Sequence, residues 1–281
     1  VRDAREHGVE VLPVDVNHSD WDYGLEPGSR GTLALRIGLR QIKGLAEAEA
    51  KRLVSVRGNG YPDIVTLWRR ARLSNRTLEV LARADAFASL ERDRRQALWE
   101  IKGLPDANPL PLFAAAQEEE RGPEPVVTLP DLAPGQQVVE DYLSLRLSLR
   151  AHPLSFLRAR LEREGWRDSR ALKDSPDGCR LGLAGLVLVR QRPGTARGVI
   201  FATLEDEWGV ANIVIWPDLF EKQRAVVMKS SLLAVQGRLQ KEGLVIHLIA
   251  DQLYDLSPRL AELEMPATAF AGASGRADEA R

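Results

Sequence analysis

The chain has 281 residues, 44% of them hydrophobic, and a formal net charge of −1, which allows roughly two or three small domains with apolar cores. It shows no signal peptide and no run near the roughly 18 apolar residues of a membrane span, so we expect a soluble, cytoplasmic protein without a membrane partner. A single cysteine, Cys179, excludes an internal disulfide, and four scattered histidines disfavour a zinc site. Any nucleic-acid binding must depend on local basic patches.

The first 28 residues predict a strand followed by a turn. A short apolar run, Val9–Leu12, is closed by Pro13 and by polar turn residues. In that turn, Asp20 and Asp22 have the spacing with which carboxylates on a strand hold Mg²⁺ in two-metal sites. No third acid lies on a neighbouring predicted strand. We therefore interpret the pair as ordinary turn residues and expect neither catalytic residues nor a metal site.

A helical domain is predicted over residues 29–103. Apolar residues recur at helical spacing from residue 37 to about residue 102, and Gly44 interrupts them as a turn. Ser74 and Asn75 precede another apolar helix. They are candidate N-caps, because their side chains accept hydrogen bonds from free backbone N–H groups.

A connecting region separates these helices from the rest of the chain. Residues 104–135 are rich in Pro, Ala and Glu without a sustained period, which predicts a linker. Helical spacing resumes over residues 136–176, where Pro153 fits the first position of a helix because its missing N–H costs nothing there. Residues 258–281 predict a flexible tail.

Period-two alternation over residues 177–257 predicts a β-barrel. A short helix, Pro217–Met228, is predicted between the third and fourth strands, and this order is that of a five-stranded OB-fold. The fold class is therefore multi-domain α+β: a helical domain, a helical linker, then the barrel. The five predicted strands are Arg180–Val189, Gly198–Leu204, Ala211–Trp216, Leu232–Leu239 and Leu244–Ile249.

Gly44–Leu45–Ala46 lies between two predicted helices as in a helix-hairpin-helix, which aims backbone N–H groups at a DNA phosphate. The usual pattern is Gly–hydrophobic–Gly, and alanine tolerates positive φ less well, so contact would be weakened. On spacing alone, an ordinary turn between two helices is the favoured interpretation. The surrounding cations add weight to DNA contact. The candidate DNA-binding residues here are Lys43, Gly44, Ala46, Lys51 and Arg52.

The loop after the first barrel strand carries Arg190, Arg192 and Arg197, three arginines that predict a phosphate-binding rim. Phe201 and Trp208 are candidates for base stacking, worth roughly 1–3 kcal/mol per base, and barrel packing is the alternative for Phe201. The second rim loop contributes one cation, Lys241. The candidate DNA-binding residues of the barrel are thus Arg190, Arg192, Arg197, Phe201, Trp208 and Lys241.

Two features of the barrel receive other interpretations. Trp216 is a further stacking candidate, but its place beside Pro217 favours packing in the core. Trp208 is expected to be exposed in a hairpin turn. The acids before it, residues 205–207, would repel a DNA backbone, so we interpret them as solvating the turn.

In this order, the motifs resemble the bacterial C-family DNA polymerases, and most closely their error-prone, damage-inducible branch. The likeness runs from about residue 5 to 258 and is sharpest in the barrel. In the second hairpin, Asp85 replaces the usual Gly, and its charge would disfavour a phosphate. Trp208 replaces a small polar residue. The matching segments are His7–Ser19 (end of the fingers), Gly38–Leu45 and Leu81–Phe87 (two hairpins), Leu149–Leu154 (linker), and Arg190–Phe201, Thr203–Glu207 and Asn212–Pro217 (barrel).

The resemblance implies a DNA-binding region of a translesion polymerase, acting in DNA repair and replication at the bacterial nucleoid. It implies that tandem hairpins hold duplex primer–template and that the OB-fold holds single-stranded template. The family's Mg²⁺ and catalytic acids belong to a palm domain without a counterpart here, so no cofactor and no activity are expected of the chain alone. The implied divisions are a truncated fingers end (1–28), tandem hairpins (29–103), linker (104–135), connector (136–176), OB-fold (177–257) and tail (258–281).

Leu110, Leu112 and Phe113 resemble the tail of a sliding-clamp-binding peptide, although Pro109 replaces the usual leading Gln. A plain hydrophobic stretch in a linker fits equally well. The alternative function is therefore a protein-interaction module that docks the clamp or a translesion partner without strong DNA binding. Aminoacyl-tRNA synthetases also use such a barrel, but the preceding hairpin block argues against that class.

Overall fold

The computed structural model describes residues 1–29, 31–105, 129–194, 198–243 and 245–264. The chain divides into two compact units. One comprises Val1–Leu132 with Glu140–Leu149, and the other comprises Ala133–Val139 with Arg150–Arg281.

The first unit begins with a short helix and a small sheet. Helix α1 (Arg2–Glu6) precedes strands β1 (Val11–Leu12), β2 (Gly24–Pro27) and β3 (Leu33–Arg36). The central strand, β3, pairs in parallel with β1 and antiparallel with β2. The sequence predicts only β1. Gly24 and Pro27 disfavour a strand assignment for β2, and β3 lies in the range predicted as a helical domain.

Four helices follow: α2 (Glu47–Ser55), α3 (Ile64–Ala71), α4 (Asn75–Arg83) and α5 (Arg94–Lys102). Short 3-10 turns, Leu39–Gln41 and Ala88–Leu90, stand before α2 and α5. The predicted cap at Ser74 is confirmed, since its side chain accepts a hydrogen bond from the Thr77 N–H; Asn75 is instead the first helical residue. The helices enclose a core around the buried Trp68 and Phe87.

The segment predicted as the end of the fingers is joined to these helices by a buried polar network. Asp15 is 3% exposed and accepts hydrogen bonds from the Ser89 N–H and hydroxyl at 2.9 and 2.7 Å. Asn17 exchanges hydrogen bonds with the backbone of Tyr61, at 3.0 and 2.7 Å. Val14 lies in the same core as the helices. The predicted division at residue 28 therefore does not coincide with a break in packing.

Helix α6 (Pro134–Leu145) spans the division between the two units. In its second half Asp141, 1% exposed, pairs with the guanidinium of Arg94 at 2.6 Å within the first unit. Such a pair tolerates burial because each charge satisfies the other.

The second unit includes α7 (Pro153–Arg163) and α8 (Arg170–Asp174). Pro153 occupies the first turn of α7, as predicted. Five strands follow and form a closed barrel in the order β4-β5-β6-β8-β7, which confirms the OB-fold. The strands are β4 (Arg180–Gln191), β5 (Ile200–Glu205), β6 (Val210–Ile215), β7 (Leu232–Glu242) and β8 (Val245–Asp255), and a 3-10 segment, Ser257–Glu264, follows them. Leu263 is 3% exposed in a core of this unit, so the prediction of a flexible tail is wrong for residues 258–264.

The helix predicted between β6 and β7 is two short helices, α9 (Pro217–Lys222) and α10 (Arg224–Lys229). Gln223 separates them. Its side-chain amide donates to the Leu253 carbonyl at 2.8 Å and accepts from the Leu253 N–H at 3.0 Å. The side chain thus pairs with a strand while its own backbone leaves helical geometry, which explains the break.

Candidate nucleic-acid interface

The barrel surface formed by β4, β5, β6, β8 and β7 carries two rows of side chains that point away from the core. Backbone pairing sets the members of each row side by side. Neighbours such as Ala202 and Ile213 point inward and are buried. These outer rows are Gln191, Phe201, Val214, Ile249 and Arg238 in the first, and Val189, Thr203, Asn212, His247 and Gln240 in the second. Val214 is only 7% exposed, so its side chain is covered although it lies outside the barrel core cluster.

The two outer rows differ in chemistry. The first contains the predicted stacking residue Phe201, whose exposure of 37% leaves part of its ring open to solvent. The second is rich in hydrogen-bonding groups, and the Thr203 hydroxyl donates to the Asn212 side-chain oxygen at 3.4 Å. An aromatic ring beside amide and imidazole groups can stack a base and hydrogen-bond its edge.

Sequence reasoning missed Asn212, His247 and Arg238 as members of this surface. Asn212 and His247 become neighbours only because β6 and β8 pair in parallel and close the barrel. The period-two pattern of each strand indicates which residues point outward, but the strand register is needed to show which of them meet.

The predicted arginine loop is divided by the structure. Arg190 belongs to β4, and its guanidinium donates to the Ser230 carbonyl. Burial lowers the pKa of Arg190, in keeping with a side chain that is partly withdrawn from water. Arg192 is exposed, and its guanidinium carbon lies 5.2 Å from the centre of the Phe220 ring. Arg197 lies outside the described residues. The prediction that Arg190 lies on an exposed loop is therefore wrong.

Core packing is predicted for Trp216, and the structure shows the opposite. Trp216 is 53% exposed at the end of β6, where it precedes α9. The alternation of the strand explains this, because Ile215 points into the core and its neighbour must point outward. Phe220, 3% exposed, takes the core position that Trp216 was expected to fill.

Trp208 is exposed as predicted, at 56%, but one face of its ring is covered. The Arg170 guanidinium carbon lies 3.8 Å from the ring centre, and Asp168 holds that guanidinium with contacts of 2.6 and 3.1 Å. Burial acts to raise the pKa of Asp168, but the hydrogen bonds and charge of Arg170 outweigh it and lower the pKa. A base could therefore stack only on the other face of Trp208.

The acids before Trp208 do not solvate the turn, which corrects that expectation for Asp206 and Glu207. Asp206 is 2% exposed and accepts hydrogen bonds from the N–H groups of Trp208 and Gly209, both at 2.9 Å. It also accepts from the Ser169 hydroxyl at 2.7 Å. Glu207 forms a two-point pair with Arg158. These carboxylates hold the hairpin against the preceding helices.

Lys241, predicted to bind DNA from the second rim loop, belongs to β7. Its ammonium group donates to the Lys173 carbonyl at 2.8 Å, and its backbone N–H donates to the Asp177 carboxylate at 2.8 Å. In this arrangement the side chain fixes the end of α8, which competes with phosphate binding.

The turn of the first hairpin keeps the shape that its sequence predicts, but the helix predicted before it, from residue 37, is wrong, because that stretch forms only the 3-10 turn Leu39–Gln41. Gly44 has a φ of +88°, so the position needs glycine. Ala46 is the N-cap of α2 with a φ of −77°, so the strain expected at this alanine is absent. The Lys43 N–H is not free for a phosphate, because it donates to the Ser144 carbonyl at 2.8 Å.

The cations predicted around this hairpin have partners of their own. Lys51 pairs with Glu47 at 2.7 Å on the surface of α2. Arg52 donates to the Ala71 carbonyl at 2.8 Å and to the Arg72 carbonyl at 3.3 Å, so it caps the end of α3. Arg52 is better explained by this structural role than by DNA contact.

In the second hairpin, Asp85 has a φ of +57°, the left-handed conformation that the usual glycine would adopt. Aspartate tolerates this region better than most residues, so the turn is kept. Its carboxylate replaces a neutral position with a negative charge, as the sequence indicates.

The acids of the Asp20–Asp22 turn do not fit a Mg²⁺ site. Asp22 pairs with Arg40 at 2.5 Å, and Asp20 lies 3.4 Å from Arg57. Across the residues that the structure describes, no group of three His, Cys, Asp or Glu side chains could hold a metal ion. In the same ranges, no helix is both long and apolar enough to cross a membrane. Leu110, Leu112 and Phe113 lie outside the described residues.

Two family models match the chain. A helix-hairpin-helix motif matches residues 8–97, and an OB-fold nucleic acid binding domain matches residues 183–256. Asparaginyl-tRNA synthetase from Pyrococcus horikoshii, a solved structure, is similar over 29% of this chain and 20% of its own, at 24% identity and a TM-score of 0.25. That score is too low to support an argument.

Several relatives match nearly the whole chain. The error-prone DNA polymerase of Ruegeria pomeroyi is 52% identical over 97% of this chain and 24% of its own length. Error-prone DNA polymerase 1 of Rhizobium meliloti is 48% identical over 100% of this chain and 27% of its own. The error-prone DNA polymerase of Brucella abortus is 49% identical over 94% of this chain and 24% of its own length. The chain thus spans about a quarter of the length of the relatives it matches.

Proposed function

This chain is homologous over nearly its whole length to a segment of error-prone DNA polymerases, and we propose that it holds DNA for such an enzyme at the bacterial nucleoid. The observation that carries the proposal is the pair of outer rows on the barrel, where Phe201 lies next to a row of hydrogen-bonding side chains. A nucleic-acid-binding domain with this surface is equipped for an unpaired strand.

Single-stranded template is the ligand proposed for the barrel. Phe201 would stack one base, and Asn212 and His247, neighbours across β6 and β8, would contact the polar edge of a base. Arg238, at the far end of the first row, offers a charge to the backbone. Since base stacking tolerates any sequence, the surface would accept template without strong sequence preference.

Duplex primer–template is the ligand proposed for the hairpins. Support comes from the left-handed Gly44, which turns the chain into α2, and from the unpaired N–H groups at the start of that nine-residue helix. Glu47 and Glu49 lie in the same first turn and would repel a phosphate. We therefore propose that the hairpins bind DNA with lower affinity than the barrel does.

The test compares single-stranded and duplex DNA by fluorescence anisotropy at two or more salt concentrations. The chain is expected to bind single strands with a clear salt dependence. Phe201→Ala should weaken single-strand binding by about tenfold, corresponding to roughly 1.4 kcal/mol of stacking. Leu25→Ala, which removes an exposed side chain of the first unit, should leave it unchanged. Salt-independent binding, or equal loss in both variants, would refute the proposal.

A second candidate function rests on the sequence of Leu110, Leu112 and Phe113, which resembles a clamp-binding tail. Under this hypothesis the chain docks a sliding clamp or a translesion partner, and DNA is secondary. A pull-down with purified clamp, before and after nuclease treatment, separates the two functions. Capture that survives nuclease and is lost on Phe113→Ala supports the second candidate; capture lost with nuclease supports the first.

A further inference from the structure

Some cations of the second unit form ion pairs with carboxylates, and others have no carboxylate within contact distance. Arg158, Arg160, Arg170, Arg180 and Arg259 each pair with a carboxylate within 4.0 Å. Among the cations of the described ranges that have no carboxylate at that distance, four gather on the loop after β4 and on α9 and α10. These four are Arg192, Lys222, Arg224 and Lys229.

Two of these cations are brought together by one aromatic ring. The guanidinium carbons of Arg192 and Arg224 lie 5.2 and 5.7 Å from the centre of the buried Phe220 ring. Both arginines are exposed, so their charges stay in water while each guanidinium lies within cation–π range of the ring. We call Arg192 and Arg224 the Phe220 arginine pair.

An exposed aromatic residue directly precedes α9, the helix that carries Phe220. A Cβ at Gly198 would lie 3.5 Å from both an Arg192 nitrogen and Pro217, so Gly198 lies close to both the Arg192 side chain and the start of α9. Trp216, 53% exposed, directly precedes Pro217. Trp216 also lies two residues beyond Val214, the strand partner of Phe201, and therefore on the same outer side of the barrel.

Carboxylates are also present here, and they limit the charge. Asp218 and Glu221 are exposed on α9. Neither lies within 4.0 Å of a cation among the described residues, so the arginines are not neutralised by contact. The carboxylates of Asp218 and Glu221 offset the charges of Lys222 and Lys229 on α9 and α10, which argues against a diffuse basic patch. The proposed site is therefore confined to the Phe220 arginine pair.

We infer that single-stranded DNA continues past Phe201 onto Trp216 and that its next phosphates are bound by the Phe220 arginine pair. The inference rests on the proposed function and adds to it an element outside the strands, the helix α10 that supplies Arg224. Trp216 would stack a base, and the two guanidiniums would bind phosphodiester oxygens as charge-assisted donors. The proposed DNA-binding surface of the barrel thus gains a second phosphate-binding site, formed by Arg192 and Arg224.

The test measures how the affinity for oligo-dT depends on salt, with a strand longer than the roughly 4–16 nucleotides that one OB-fold covers. Arg192→Ala and Arg224→Ala should each reduce the slope of log affinity against log salt by about 0.7. Arg224→Lys keeps a charge and should keep the slope. Arg163→Ala removes an exposed arginine from α7 and is the charge-matched control.

The outcomes separate this inference from the proposed function. Wild-type protein without salt-dependent binding would overturn both. Wild-type binding with an Arg224→Ala slope equal to that of Arg163→Ala would overturn the inference alone. Thermal unfolding of each variant verifies that the fold is intact, which we expect because both side chains are exposed.

Trp216 is tested in the same assay. Trp216→Ala should weaken binding by about tenfold with an unchanged salt slope, since it removes stacking rather than charge, and Trp216→Phe should restore most of the affinity. The control is Trp99→Ala, which removes another exposed tryptophan, 54% exposed, from α5 in the first unit. Equal affinities for the Trp216 and Trp99 variants would overturn the stacking role.

Discussion

Whether an acidic side chain in this chain faces solvent or accepts buried hydrogen bonds depends on its position in the fold, as Asp206 shows. Asp206 stands between two other acids in the sequence, where an exposed, solvating role is the ordinary expectation. In the folded protein it is 2% exposed and accepts hydrogen bonds from the hairpin and from Ser169. One buried side chain therefore shapes the turn and joins it to the helix before the barrel.

Replacing Asp206 by alanine is expected to destabilise the second unit by about 3 kcal/mol, because several buried donors would lose a charged acceptor at once. Urea unfolding followed by fluorescence measures the change. Asp218→Ala, at an exposed acid of α9, is the control and should change stability by no more than about 0.5 kcal/mol. Equal effects of the two substitutions would contradict the role given to Asp206.

Individual site residues are harder to predict than their chemistry. Arginines around the first barrel loop are expected to face a phosphate, and Arg192 does lie exposed, but Arg190 is held by the Ser230 carbonyl. Trp216 is expected in the core because a large apolar residue beside a proline favours burial. Trp216 is exposed because the preceding residue, Ile215, points into the core. The direction of Ile215 depends on the strand register.

At the scale of elements, the turn of the first hairpin differs in sequence from its motif and keeps the backbone geometry, although a three-residue 3-10 turn stands where the first helix is predicted. The alanine at position 46 is expected from the sequence to strain the turn. In the structure the positive φ belongs to Gly44, whereas Ala46 has an ordinary extended conformation. What weakens the hairpin as a phosphate site is chemical: Glu47 and Glu49 lie in the first turn of α2.

Gly44→Ala is expected to cost about 1 kcal/mol of stability, because alanine is strained at a φ of +88°. Ala46→Gly should change stability by only a few tenths of a kcal/mol, since the preference for glycine over alanine at an N-cap is offset by the greater freedom of glycine in the unfolded chain. Its affinity for duplex DNA should stay the same. Urea unfolding and duplex titration check the pair, and a clear gain in duplex affinity for Ala46→Gly would restore the view of a strained motif.

Strongly periodic elements can be predicted from the sequence better than their ends. The sequence predicts all five barrel strands, but the predicted last strand ends at Ile249, six residues before β8 ends at Asp255, and the predicted β4 ends two residues early, at Val189. It misses the β2–β3 pair because β2 contains Gly24 and Pro27, which disfavour a strand assignment. It predicts one unbroken helix between β6 and β7, since the break at Gln223 depends on pairing with the distant Leu253.

At the scale of the whole molecule, the chain combines two units whose family models both belong to nucleic-acid-binding domains or motifs. The order of these domains can be predicted from the sequence, because each has its own hydrophobic period. The two outer rows cannot be predicted from the sequence. They depend on the pairing of β6 with β8, two strands that the helices α9 and α10 separate in the chain.

The affinity of the chain for single-stranded DNA is expected to be unchanged by EDTA. The physical reason is that binding is proposed to depend on side chains and phosphates, with no metal between them. Anisotropy with and without chelator checks this expectation. Loss of affinity with EDTA would contradict the proposal.

The parallel pairing of β6 with β8 also has a consequence for synthesis of the protein. The ring of strands cannot close until Val245–Asp255 has left the ribosome, because β8 is the last strand of the barrel. Until then, β6 and β7 have unpaired edges that could join another chain. A nascent or truncated product that ends before β8 is therefore expected to be prone to aggregation, whereas the finished barrel has no free edge.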